Sequence, residues 1–86
     1  MTGHDNTCMG TNALTATTSG ASNTVIGRDA GSTITTGSGN TIIGRYDGNE
    51  NGLDIRTSNN HIVLSDGDGN PRQIIDNIGR VLIGHA

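Results

Sequence analysis

Eighty-six residues with a net charge of −3 and no lysine allow one domain at most and exclude the basic patch a nucleic-acid binder presents. Only 26 residues are apolar, five of them alanine, and Tyr46 is the sole aromatic. A lone monomer of this composition is short of core, and small chains in that position oligomerise or bind metal.

Disorder is the competing reading of so polar a chain, but ten isoleucines and a regular repeat argue against it. Cys8 stands alone, so no intrachain disulfide forms. Met1–Asp5 has neither the basic nor the apolar segment of a secretory signal, and no apolar run approaches the ~18 residues of a membrane helix. The expectation is a soluble chain made in the cytoplasm, with no nucleic-acid and no membrane partner.

Taken in order, the chain repeats the pentapeptide Asn-Thr-apolar-apolar-Gly three times, at Asn6–Gly10, Asn23–Gly27 and Asn40–Gly44, each 17 residues after the last. A fixed short period means one small unit stacked on copies of itself. The units run Gly3–Ser19, Gly20–Thr36 and Gly37–Leu53. Thr, Val and Ile favour extended backbone, whereas the Gly and Asn clusters mark turns. Each pentapeptide therefore reads as a short strand, and Leu14–Thr18 and Ser32–Thr36 read as second, Thr-rich strands. Two strands and two turns make one coil of a parallel β-solenoid, advancing by about 4.8 Å per coil. Helix is disfavoured, because no window holds the i, i+3, i+4 apolar pattern and glycine recurs too often.

Side chains alternate across a strand, so Val25 and Ile26 point to opposite faces, as do Ile42 and Ile43. One face lines the coil and the other needs a cover, most simply copies of the same chain. The repeat breaks at the turn-rich Tyr46–Gly52. Four strand-like runs follow, Leu53–Arg56, His61–Ser65, Arg72–Asp76 and Arg80–Gly84, joined by short turns that predict an antiparallel meander over 53–86. Both of its faces are apolar too: Ile62 and Leu64 against Val63, Ile75 against Ile74, and Val81 and Ile83 against Leu82. Val25, Ile26, Ile42, Ile43, Ile62, Leu64, Ile75, Val81 and Ile83 are thus the expected core and interface residues. The expected division is solenoid over 1–48 and meander over 49–86.

The unit Asn-Thr-x-x-Gly-x-x-Ala-(Leu/Gly)-…-Thr-Thr, over roughly residues 3–48, resembles the head repeats of trimeric autotransporter adhesins. It is still more similar to repeats of bacteriophage tail fibres and tail spikes. His61–Arg72 followed by Asn77–Gly84 is similar to a meander of phage fibre and virion structural proteins. The resemblance implies an intertwined homotrimer, three β-solenoids around an axis continuing into a trimeric β-prism. The chain shows neither the signal peptide nor the membrane-anchor barrel of an autotransporter adhesin, which makes a virion protein assembled in the host cytoplasm the expected home.

Catalytic and ligand chemistry finds little footing. Asp66-Gly67-Asp68-Gly69-Asn70 has the spacing that opens a calcium loop, but Pro71 and Asn77 occupy the places of its essential Gly and Glu; a hairpin turn accounts for the same residues. His4, His61 and His85 are far apart. Three copies of one on a trimer axis would suit a metal, yet solvated histidine is the simpler reading. Asp29, Asp47, Asp54, Asp66, Asp68 and Asp76 sit in or beside turns, where Asp is expected without the paired carboxylates of a glycosidase. Cys8 reads as a small core hydrophobe. No helix follows Gly37-Ser38-Gly39 or Gly67-Asp68-Gly69, so phosphate binding is rejected. Arg28 and Arg45 stack at equivalent positions, either paired with Asp29 and Asp47 or facing water.

The functional expectation is a non-enzymatic structural virion protein without cofactor or metal, a phage fibre or spike segment or a capsid decoration, partnered by its own copies and other virion proteins. The alternative is an adhesin module whose loops at Arg45–Asn51 or Asp66–Pro71 contact a host-surface glycan.

Overall fold

A computed structural model describes residues 3–50 and 52–84; His85, one of the three histidines weighed above, lies outside them. The described chain is all-β, with no helix. Six strands form one mixed sheet in the order β1 (Thr7–Met9), β2 (Thr24–Ile26), β3 (Thr41–Ile43), β6 (Ile62–Ser65), β7 (Pro71–Ile75), β8 (Val81–Ile83). A separate two-stranded ribbon pairs β4 (Asn49–Glu50) with β5 (Leu53–Asp54).

The pentapeptides form β1, β2 and β3, which pair in parallel with Thr7 opposite Thr24 and Thr24 opposite Thr41. Residues 17 apart therefore stack, and the hydrogen bonds between units follow the same offset. Val25, Ile42 and Val63 lie in one cross-strand row, and all are fully buried. Leu14, Ala30, Ile34, Tyr46 and Ile55 complete the core beneath that row.

Asparagine supplies a second ladder. Asn6, Asn23 and Asn40 accept on Oδ1 from the backbone N–H of Asn23, Asn40 and His61, at 2.9–3.0 Å. Their Nδ2 groups donate to the carbonyls of Gly20, Gly37 and Ser58, at 2.8–3.0 Å. Each amide so clips its own unit to the next one, and no buried side-chain polar atom among the described residues lacks a partner. The units pack too closely for side chains at the corner: a Cβ on Gly37 would lie 2.5 Å from the Ser58 carbonyl oxygen and 3.0 Å from that of Ile55.

Three expectations differ from the structure. Leu14–Thr18 and Ser32–Thr36 are turns rather than strands. Leu14 and Gly31 occupy equivalent corners at φ 55° and 62°, a left-handed conformation that interrupts extended backbone. The Thr-rich segments still bond between units, as Thr17 Oγ1 does to the Ile34 carbonyl.

β6 does not begin with a hairpin to Leu53–Arg56. It pairs in parallel with β3, Thr41 opposite Ile62, an offset of 21 residues as in the Asn40–His61 bond. Nor does Leu53–Arg56 join the meander: Leu53 and Asp54 pair with β4, while Ile55 enters the core as the continuation of the Thr17–Ile34 column. Burial decides this, since Ile55 is 1 % exposed there and an edge strand would leave it half in water. The four extra residues are taken up around the β4–β5 ribbon, which closes over Tyr46. The Tyr46 hydroxyl donates to the Leu53 carbonyl at 2.7 Å.

From β6 onward the turn signals are matched by antiparallel pairing, β6 with β7 and β7 with β8. In the first turn, Asp66 Oδ1 accepts from the N–H groups of Asp68 and Asn70. In the second, Asp76 Oδ1 accepts from those of Ile78 and Arg80.

Candidate assembly interface

The register that places Val25, Ile42 and Val63 inside puts their strand neighbours on the opposite, outer face. Across the sheet this outer face carries Met9, Ile26, Ile43 and Leu64 in one row, running on to Gln73 and Ile83. The flanking row is Thr7, Thr24, Thr41, Ile62, Ile75 and Val81. Met9 is 61 % exposed, Ile43 46 % and Ile83 75 %. These side chains present on the order of 600 Å² of apolar surface, at the upper end of what a monomer leaves in water.

Of the nine interface and core residues read from the sequence, Val25 and Ile42 are buried within the chain. Ile26, Ile43, Ile62, Leu64, Val81 and Ile83 are exposed, and Ile75 is half-buried. The sheet thus sorts the two roles that the sequence reading left together.

A second apolar feature lies on the opposite face. Leu82 pairs with Ile74 in the inward-facing row, but the core ends at Ile74, and Leu82 is 51 % exposed. Leu82, Ile74 and Leu53 line a groove of ≈ 470 Å³ with His61, Asp76 and Arg80 among its other lining residues. β8 is consequently apolar and open on both of its faces. Ile78, in the preceding turn, is 70 % exposed.

The polar groups are occupied with the turns. Asp66 lies well below the usual carboxylate range because the Asn70 N–H and side chain bind it, with Arg72 paired at 2.8 Å. Asp76 is lowered by the Arg80 N–H, and Asp54 is held at about 2 by the Arg56 guanidinium. Glu50 is raised, chiefly by burial. Arg45 and Arg28 both reach Asp29, at 3.4 and 3.7 Å, while Asp47 instead accepts from the Asn49 N–H. His61 Nδ1 lies 3.0 Å from the Asn59 carbonyl, and His4 is exposed. Among the described residues no three His, Cys, Asp or Glu side chains are placed to hold a metal, and no helix is long and apolar enough to cross a membrane.

Two features escaped the sequence reading. Tyr46 is a fully buried core residue, signalled by its place at the break of the 17-residue period. The Arg45–Glu50 and Asp66–Asn70 loops meet, with Arg45, Asp47, Glu50 and Asp68 around one open polar depression. Cys8 also departs from expectation: it holds the core-row position but is exposed, because no strand lies beyond β1 to cover it.

No family model, no characterised protein and no solved structure matches this chain.

Proposed function

We propose that the chain is a structural element of a rod: a parallel β-solenoid of 17-residue coils with a meander end, assembled as a homotrimer in a phage fibre, spike or capsid decoration. Its work is mechanical and non-enzymatic. The observation that carries this reading is the pair of apolar surfaces on opposite faces of one sheet, the outer Met9–Ile83 row and the Leu82 groove. A two-fold contact joins one patch to its own copy and leaves a second patch in water. A closed ring uses two different patches per chain, one for each neighbour. The count of three comes from the resemblance of the repeats to trimeric fibre proteins, as does the virion setting.

Sedimentation equilibrium of the purified chain tests the assembly. A species of three times 8.8 kDa is expected at micromolar concentration, and a folded monomer there overturns the reading.

A second reading has one observation behind it. The two loops expected to contact a glycan converge on the polar depression lined by Arg45, Glu50 and Asp68. No aromatic ring is on hand for a sugar to stack against, so the structural role takes precedence. Reproducible signal for the wild-type trimer on an array of bacterial surface glycans, lost in Arg45→Ala, would reverse that order.

A further inference from the structure

β1 ends the sheet, and all three of its residues are exposed, whereas the middle residues of β2, β3 and β6 are buried. Thr7 N–H donates to the Asn23 carbonyl and Met9 C=O accepts from the Gly27 N–H. Alternation along the strand therefore turns the Cys8 N–H and C=O to the outer edge. Edge strands are ordinarily blunted by lysine, proline or a bulge. Thr7-Cys8-Met9 has none of these, and its pairing with β2 is regular.

We propose that this edge is a docking site for strand addition. Its occupant is a parallel strand of a partner chain carrying the Asn-Thr-apolar-apolar-Gly pattern in register with Asn6–Gly10. The inter-unit bonds specify that partner. Each asparagine clips its unit to the following one, so the clip onto the first unit must come from the incoming strand. Repeating the Asn6–Gly20 and Asn23–Gly37 geometry places an incoming Asn Nδ2 against the Gly3 carbonyl. An apolar side chain at the fourth position adds to the outer row beside Met9, and one at the third covers Cys8. The main-chain ladder supplies affinity and the asparagine sets register, as in other strand additions. In the rod reading this edge is where the rod is mounted, but the site itself depends only on the sheet.

Cys8 is the sole thiol and reports occupancy directly. The full chain is mixed with a peptide of residues 20–36, and alkylation of Cys8 by iodoacetamide is timed. The same 17 residues joined ahead of Gly3 provide a second arm that needs no intermolecular affinity. Slowing of tenfold or more in either arm is expected, with Asn23→Ala in the added segment weakening it and Thr24→Pro abolishing it. Unchanged alkylation in both arms overturns the proposal. Protection that grows with protein concentration alone also overturns it, by making a second copy the occupant. Sedimentation of the same samples reports trimerisation separately, so the two readings fail independently.

Discussion

Asn23 and Asn40 are amides with no solvent exposure, and each closes two hydrogen bonds between successive units. Truncating one strands a backbone N–H and a carbonyl in a dry interior, at about 1–3 kcal/mol for each unsatisfied group. Asn40→Ala is therefore expected to cost about 2–4 kcal/mol, read as a shift in urea midpoint, while Asn49→Ala, an exposed amide, leaves the midpoint in place.

Tyr46 gives a pH signature. Its phenol is raised above its ordinary value by burial, with Asp47, Asp54 and Glu50 adding to the effect. The folded state thus holds the phenol proton more tightly than the unfolded chain does. Its contribution is complete below about pH 10, the unfolded value, and is lost as pH climbs toward the folded one. With no lysine in the chain, denaturation at pH 8–11.5 is expected to show stability falling above pH 10. Tyr46→Phe should remove that fall, at the cost of the Leu53 hydrogen bond at neutral pH.

At the scale of elements, the two turns of the meander share one construction: an aspartate accepts two N–H groups ahead of it, and an arginine that follows pairs with the same carboxylate. Both carboxylates are lowered in the folded state. Their contribution is present above about pH 4 and disappears as protonation proceeds below it. Asp66→Ala and Asp76→Ala are expected to flatten the acid limb of the stability profile, with amide exchange of β7 and β8 accelerated more than that of β2. Equal protection of all strands in the variants would separate these turns from meander stability.

The corner glycines act at the same scale. Gly37→Ala pushes a methyl into two backbone oxygens that belong to the next unit. Overpacking of about 1–3 kcal/mol follows, and thermal melting of the variant measures it.

For the whole molecule, nine large apolar side chains are exposed among the described residues, as many as are buried in the core. That balance is what the proposed ring of copies corrects. Ile43→Asp on the outer face and Leu82→Asp in the groove should each reduce the assembly to monomers, because a charge enters a dry contact once per copy. Thr57→Asp, on an exposed turn, should leave sedimentation unchanged. Assembly that survives either of the first two substitutions would show that one face suffices and that the ring arrangement is wrong.

The sequence by itself determined the strands β1, β2 and β3, their 17-residue offset and the sidedness of Val25 against Ile26 and of Ile42 against Ile43. Those follow from a repeated pentapeptide and the two-residue alternation of a strand, both of which are local. It also foretold the antiparallel turns at Asp66 and Asp76. The tertiary structure alone decided that β6 is a fourth parallel strand and that Ile55 and Tyr46 belong to the core. It also decided that Cys8, in a core row, lies open. Each of these depends on what stacks above or below a residue. A column of side chains ends, or absorbs four extra residues, according to neighbours far along the chain, and a linear period carries no record of that.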